Sequence, residues 1–156
     1  MNPTFAAVLS LPSFSLGVRC DADEITEIAY LEPRDEVKPA TPLAMEAVRQ
    51  LRAYFEDASF AFSLPLRPAG TPFQRRVWQQ IAAVPRGETR SYGELATALA
   101  SAPRPVGGAC GANPYPLVIP CHRIVAANRG LGGFARSRGG FLLDVKRWLL
   151  EHERAA

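Results

Sequence analysis

The feature that most constrains the fold is a short stretch, residues 117–125, in which apolar residues flank Cys121 and His122. These apolar flanks predict that the segment is buried or half-buried. Pro120 fixes its own φ and biases Ile119 towards an extended conformation. We therefore expect Cys121 on a rigid, apolar-walled turn, which suits a nucleophile whose direction matters more than its mobility.

Two interpretations of Cys121 stay open on these residues alone. A free cysteine usually behaves as a small buried hydrophobe. His122 and Arg123 instead favour a reactive thiol, because a cationic neighbourhood lowers a thiol pKa and raises the thiolate fraction. Adjacent residues on a strand point to opposite faces, so contact between Cys121 and His122 would need a bridging water or a turn.

Composition excludes several classes of protein. A chain of 156 residues with 47% hydrophobic content can bury a core and fits one domain or two small lobes. No apolar run reaches transmembrane length, and the N-terminus has no signal-like segment. Three widely spaced cysteines argue against a disulfide framework and for a reducing cytoplasm. With two histidines and no metal-ligand spacing, we expect no metal and no cofactor.

Charge is distributed unevenly along the chain. Residues 1–70 carry six Lys/Arg against ten Asp/Glu, whereas residues 71–156 carry twelve against five. Eleven of those twelve basic residues are arginines. This asymmetry indicates an anionic partner for the C-terminal part, with nucleic acid as the leading candidate. The alternative is a basic surface that is merely solvated.

The N-terminal part reads as an α/β lobe. We expect strands within 5–31 with a hairpin turn at 21–24, followed by a loop over 32–40. A helix capped by Thr41 then runs to about Glu56, and a further strand covers 58–64. Residues 66–70 have the composition of a linker. The predicted domains are therefore 1–66 and 67–156.

The C-terminal part opens with two helix-start signals. Thr71 and Gln74 form one capping box, and Ser91 and Glu94 form a second. The first helix carries an apolar face and is ended by residues 85–88; its face comprises Phe73, Val77, Ile81 and Val84. The second buries Leu95, Ala98 and Leu99. Two short helices joined by a tight turn suggest a helix-turn-helix.

A third helical segment runs from Pro105 to residue 112. It is unusual for a helix that recognises DNA bases, because it holds three glycines and no polar side chain after residue 105. Each interior glycine costs about 1 kcal/mol relative to alanine. Small residues permit close backbone approach, so this helix suits a nucleic-acid groove in which it reads little sequence. Tight packing on another helix is the alternative. Arg104 projects from the start of this segment and Asn113 from its end.

From Gly70 to Glu153 the chain resembles the 6-O-alkylguanine-DNA alkyltransferases, also called methylated-DNA–protein-cysteine methyltransferases. The matching motifs are residues 70–74, 91–96, 106–109, 113–114, 119–123 and 146–153. Residues 1–66 match only in general layout. The resemblance implies an α/β fold with a small ribonuclease-H-like N-terminal lobe and a mostly helical, winged helix-turn-helix-like C-terminal lobe.

The resemblance implies a single-turnover repair reaction. A damaged base, 6-O-alkylguanine and also 4-O-alkylthymine, is flipped out of duplex DNA, and Cys121 takes its alkyl group irreversibly. Glu153 and His122, with a water, would deprotonate Cys121, and Tyr92 would protonate guanine N3. From the residues alone Glu153 reads as a solvated charge near a helix end. The expected partner is double-stranded DNA with no membrane, and the expected state is a monomer; cooperative assembly on DNA stays open.

The resemblance also assigns contacts. Arg104 would fill the gap left by the flipped base, and Asn113 would be the hinge between the recognition helix and the active-site turn. The remaining DNA contacts would be Val106, Gly107, Gly108, Ala109 and Arg123. The pocket walls would be Pro116, Ile124, Phe134 and Ala135. The segment between Phe134 and Lys146 looks longer than is usual in the family; we expect Arg136 and Arg138 to reach a phosphate, and a solvated insertion is the alternative.

Two rival functions remain. A non-catalytic lesion-binding module would resemble the alkyltransferase-like proteins, but these lack the cysteine that is present here as Cys121. A cysteine hydrolase that uses Cys121 and His122 would turn over, whereas an alkyltransferase would stop after one equivalent. The basic C-terminal part weighs against the hydrolase.

Overall fold

The computed structural model describes residues 4–126 and 140–155. The chain divides into two compact units, with the boundary between Pro68 and Ala69. Both α-helices and β-strands are present, so the protein is of mixed α/β type. The predicted site residues Phe134, Ala135, Arg136 and Arg138 lie outside the described residues.

The first unit contains a three-stranded antiparallel sheet in the order β1-β2-β3, with strands β1 Ala7–Ser10, β2 Ser15–Cys20 and β3 Ile25–Leu31. The turn between β2 and β3 is held by Asp21, whose Oδ1 accepts hydrogen bonds from the backbone N–H groups of Asp23 and Glu24. Aspartate side chains commonly stabilise turns in this way. The predicted hairpin is confirmed.

Helix α1 spans Pro42–Glu56 and lies against β1 and β2. The side chain of Thr41 accepts a hydrogen bond from the backbone of Ala44 at 3.3 Å, and Pro42 occupies the first turn, where its missing N–H costs nothing. The helix buries a face of four mostly apolar side chains, Ala44, Ala47, Leu51 and Tyr54. The predicted cap and both helix ends are confirmed.

The strand predicted over residues 58–64 is wrong, because no strand forms there. The side chain of Gln50 takes up a backbone donor that a ladder would otherwise pair, because its Oε1 accepts from Ser63 N at 2.9 Å. Its Nε2 also donates to the side-chain Oγ of Ser63 at 3.2 Å. Phe60 and Phe62 pack as aromatic neighbours at 5.6 Å between ring centroids. Their strand-like pattern therefore reflects aromatic packing and not sheet pairing.

The second unit is mostly helical. Its elements in order are α2 Pro72–Ala82, β4 Arg90–Ser91, α3 Tyr92–Ala98, α4 Pro103–Gly111, a single 3₁₀ turn over Cys121–Arg123, β5 Ile124–Val125 and α5 Phe141–Ala155. Strands β4 and β5 pair in parallel. Trp78 donates a hydrogen bond from Nε1 to the carbonyl of Ala109 at 2.9 Å and so ties α2 to α4.

Both predicted capping boxes are confirmed, at Thr71/Gln74 and at Ser91/Glu94. One predicted core position in α3 is wrong: Ala98 is exposed and Ala96 is buried instead. Helix α4 begins at Pro103, two residues before the predicted start. Proline is favoured at this first position because the N–H that it lacks would have no helical partner.

Helix α5 begins at Phe141, so residues 141–145 of the long segment between Phe134 and Lys146, interpreted as a loop, are helical instead. Val145 and Leu149 are both buried and lie four residues apart, which is the spacing of one apolar face of a helix. Gly140 precedes the helix at φ 73°, a conformation that glycine adopts without strain. Across the described ranges, no helix combines the length and apolar character needed to span a membrane.

Candidate active site

Cys121 opens the 3₁₀ turn and is buried, with 5% of its surface exposed, as the apolar flanks predict. Its backbone N–H donates to the carbonyl of Ile119 at 2.8 Å, and the N–H of Arg123 donates to the carbonyl of Pro120 at 3.0 Å. Leu117 is held at φ 74°, which is uncommon for a residue with a side chain. The cysteine therefore sits on a tightly folded turn with a fixed direction.

Asn113 connects the end of α4 to this turn. Its Nδ2 donates to the carbonyl of Ile119 at 2.9 Å and to Sγ of Cys121 at 3.2 Å, while its Oδ1 accepts from the backbone of Tyr115 at 2.9 Å. One side chain thus fixes the backbone two residues before the nucleophile and contacts the sulfur itself. Any displacement of α4 would pass directly to Cys121.

His122 and Glu153 form a buried pair. Nε2 of His122 lies 2.8 Å from Oε2 of Glu153, and each side chain is 1% exposed. The same carboxylate accepts two hydrogen bonds from Arg123, which marks it as ionised, so Nε2 carries the proton and donates. Nδ1 is then an acceptor; it is buried and has no hydrogen-bond partner among the residues that the structure describes.

Arg123 faces the interior rather than a DNA surface. Its Nε and Nη2 each lie 2.9 Å from the carboxylate of Glu153, and its Nη1 donates to the carbonyl of Val84 at 2.7 Å. The guanidinium is therefore committed to a bidentate pair, the strongest geometry available to it. This placement disagrees with the predicted DNA contact. Arg86 adds a hydrogen bond to the backbone carbonyl of Glu153 at 3.1 Å.

The protonation states follow from burial and neighbours. Burial lowers the pKa of His122 below its ordinary value, so the imidazole is neutral and can act as a base. A hydrogen bond with Cys110, together with burial, raises the pKa of the Cys121 thiol, while Asn113 and Lys146 act in the opposite direction. Burial also raises the pKa of the Tyr92 phenol. At rest the site holds a thiol, a neutral imidazole and a phenol.

The predicted groove helix divides into two faces. Val106 and Ala109 are buried and support α4 from inside, which disagrees with their predicted DNA contact. Arg104 is exposed. A Cβ built on Gly107 or Gly108 meets no atom of the described chain within 4 Å. These two glycines therefore do not serve tight packing of α4 against another helix of the described chain.

The two predicted pocket residues that the structure describes differ in exposure: Pro116 is half-buried and Ile124 is fully buried. Phe134, Ala135, Arg136 and Arg138 remain predictions, since they lie outside the described residues. In the described ranges, no group of three or more His, Cys, Asp or Glu side chains could hold a metal ion.

Three residues near the site were missed in the sequence: Cys110, Arg86 and Lys146. Lys146 is fully buried, and its Nζ donates to the carbonyl of Ile124 at 2.8 Å. Lys146 and Glu153 are seven residues apart and so share a face of α5 two turns apart, but the spacing alone does not show that this face is buried. A lysine on a buried helix face is rare enough to mark a site.

Comparisons with known proteins identify relatives of this chain. The family described as "6-O-methylguanine DNA methyltransferase, DNA binding domain" matches residues 72–155. A constitutive methylated-DNA–protein-cysteine methyltransferase of Bacillus subtilis is 44% identical over 116 residues, which cover 73% of this chain and 68% of that protein. A methylated-DNA–protein-cysteine methyltransferase of Methanosarcina mazei is 42% identical over 156 residues and 94% of each chain.

The fold is shared with solved structures. The crystal structure of Mycobacterium tuberculosis OGT in complex with DNA superposes with a TM-score of 0.78 at 35% identity, covering 95% of this chain and 91% of that one. The resemblance inferred from the motifs is confirmed by these relatives. The chain belongs to the methylated-DNA–protein-cysteine methyltransferase family.

Proposed function

We propose that this protein repairs alkylated DNA by moving an alkyl group from O6 of guanine, and also from O4 of thymine, onto its own Cys121. The observation that carries the proposal is the Cys121 thiol on its fixed turn, followed in the chain by His122, whose Nε2 is hydrogen-bonded to a buried carboxylate. This is the arrangement of a nucleophile with a polarised base. The double-stranded DNA that carries the lesion is the expected partner.

The first step is removal of the thiol proton. Nδ1 of His122 is a buried acceptor, and a water between it and Cys121 would carry the proton across. Glu153 stabilises the imidazolium that forms, and Arg123 keeps Glu153 ionised by its bidentate contact. A base is needed because the pKa of the thiol is raised above its ordinary value.

The second step is displacement at the alkyl carbon. The bond from Sγ of Cys121 to carbon forms as the bond from carbon to O6 breaks, and the electron pair passes to the purine. The phenol of Tyr92 would donate a proton to N3, so that guanine leaves as a neutral base. The thioether product leaves Cys121 without a thiol, so each molecule acts once.

DNA would reach the site through the second unit. We assign α3 and α4 to a winged helix-turn-helix-like lobe that enters the minor groove, where Gly107 and Gly108 allow close approach of the duplex. The lesion must leave the stack to reach a buried thiol. Arg104 is exposed at the start of α4 and would fill the gap.

The remaining assignments concern the whole molecule. We propose a ribonuclease-H-like fold for the N-terminal domain, 1–66, and a monomer as the active state. A cytoplasmic location suits three cysteines that are all free. The domain 67–156 contains each catalytic residue proposed here.

The proposal is tested by Cys121→Ser, with Cys20→Ser in the first unit as the matched control. Only the sulfur is needed for displacement, so Cys121→Ser should abolish transfer from methylated duplex DNA and keep DNA binding, while Cys20→Ser transfers normally. A peptide map that finds the methyl group on Cys20 or Cys110 would refute the assignment. Repeated turnover by the parent protein would favour the cysteine hydrolase instead.

A further inference from the structure

Glu153, whose carboxylate orients His122, lies in the last turn of α5, which spans Phe141–Ala155. The last four carbonyls of an α-helix have no N–H partner inside the helix, and helix ends fray. The side chain of Glu153 is nonetheless 1% exposed and keeps its 2.8 Å contact with Nε2 of His122. The position of this carboxylate therefore depends on groups outside α5.

The turn between α2 and β4 supplies one of these groups. Nη1 of Arg86 donates a hydrogen bond to the backbone carbonyl of Glu153 at 3.1 Å. A guanidinium at this end of a helix satisfies a free carbonyl and is also favoured by the helix dipole. A Cβ built on Gly87 would lie 3.9 Å from the same carbonyl oxygen, so the backbone of the turn lies directly against the end of α5.

The same turn is also bound to the 3₁₀ turn of the site. Nη1 of Arg123 donates to the carbonyl of Val84 at 2.7 Å, while its Nε and Nη2 hold the carboxylate of Glu153 at 2.9 Å. Val84 and Arg86 are two positions apart, so the hydrogen bonds form a closed ring of four residues. In this ring Arg123 binds the side chain of Glu153, and Arg86 binds its backbone.

We propose that Arg86 is a positioning residue for alkyl transfer, which fixes the backbone of Glu153 and so keeps its carboxylate within hydrogen-bond distance of His122. Arg86 acts through Glu153, since its hydrogen bond is made to a backbone carbonyl. Without it the last turn of α5 would be held less firmly, and Arg123 would have to restrain the carboxylate from the side-chain end. This inference rests on the proposed function, because the reaction that it serves is transfer to Cys121.

The first measurement needs no activity. The proton on Nε2 of His122 is followed by NMR in the full chain and is identified by its absence from His122→Gln. In Arg86→Ala this proton should exchange with water about fivefold faster, which is the effect of one hydrogen bond of ordinary strength. Amide protons of α2 should keep their parent exchange rates, which separates this local effect from a general loosening of the unit.

Two further variants make this measurement specific. Arg86→Lys keeps a cationic donor, and a single carbonyl needs only one donor, so this variant should restore the slow exchange. Arg154→Ala is the matched control, because it removes another exposed arginine from the last turn of α5. It should exchange like the parent.

The second measurement is a double-mutant cycle on the rate of methyl transfer from free 6-O-methylguanine base, which avoids any effect on DNA binding. Arg86→Ala should slow transfer about fivefold in the parent, because a less firmly held carboxylate stabilises the imidazolium less well. In Glu153→Gln the same change should have little effect, since the carboxylate that Arg86 positions is absent. Rates are normalised to the fraction of molecules that finally react.

Two results would overturn the inference. An Nε2 proton that exchanges at the parent rate in Arg86→Ala would show that Arg86 does not hold Glu153 against His122. An equal loss of rate in the parent and in Glu153→Gln would show that Arg86 only stabilises the fold. Failure of the parent protein to methylate Cys121 would instead refute the proposed function, and the exchange measurement would be unaffected, so the two failures are distinguishable.

Discussion

Oε2 of Glu153 lies 2.8 Å from Nε2 of His122, and the same carboxylate accepts two hydrogen bonds from Arg123 at 2.9 Å. One buried carboxylate therefore orients the candidate base and neutralises a nearby cation. Because the charges are desolvated, removal of one partner leaves the other uncompensated, which costs far more than loss of an exposed pair.

Glu153→Gln should destabilise the protein and also slow alkyl transfer. The loss of a buried pair predicts a decrease of about 3 kcal/mol in the free energy of unfolding. A neutral amide no longer stabilises an imidazolium, so single-turnover transfer should slow by at least about a hundredfold, the low end for general-base catalysis. Urea unfolding and rapid-quench kinetics measure the two effects. Glu151→Gln, an exposed position on the same helix, is the control and should change neither.

His122 should make stability depend on pH. Its pKa in the folded protein is lower than its ordinary value of 6.5, so the unfolded chain binds a proton at a higher pH than the folded chain does. The free energy of unfolding should therefore fall as the pH decreases below about 6.5, and the contribution is fully present above it. Urea unfolding of the parent and of His122→Gln tests this. Identical slopes against pH would show that His122 does not titrate as described.

Arg104→Ala should separate DNA engagement from chemistry. Arg104 is exposed, so its loss should leave the free energy of unfolding within about 0.5 kcal/mol of the parent. Repair of methylated duplex should slow strongly, whereas reaction with free 6-O-methylguanine, which needs no flipping, should not. Arg147→Ala controls for loss of a surface cation. An equal loss of rate with duplex DNA and with free base would show that Arg104 does not fill the gap left by the flipped base.

Gly107→Leu should weaken DNA binding without harming the fold. A Cβ built at this position meets no atom of the described chain within 4 Å, and leucine is a better helix former than glycine by about 0.8 kcal/mol. Thermal unfolding should therefore shift upwards or stay constant. The affinity for duplex DNA should fall because the side chain blocks close approach of the groove, and a variant with parent affinity would show that α4 does not enter it.

Local signals were the part of the fold that the sequence could predict. The capping boxes at Thr71 and Ser91 and the turn at Asp21 depend on residues three or fewer positions apart, and all three form as expected. The strand predicted over 58–64 failed because its backbone partner is the side chain of Gln50, which lies on a helix earlier in the chain. No local pattern encodes that contact.

The site residues could be predicted only where they belong to a recognisable sequence motif. Cys121 and His122 stand out by their apolar flanks, but Glu153 looks like a surface charge until its distance to His122 is known. The inward direction of Arg123 depends on Val84 and Glu153, thirty or more positions away in the chain. Lys146 was missed because its burial is decided by packing around Ile124 and Tyr92.

The most direct test of the central claim is the mass of the intact protein after incubation with an excess of duplex DNA that carries 6-O-methylguanine. The account predicts that one hydrogen is replaced by one methyl group in every active molecule, that the methyl maps to Cys121, and that repair stops at one lesion per protein. Repair of many lesions per molecule, or a protein of unchanged mass after lesions have disappeared, would contradict it.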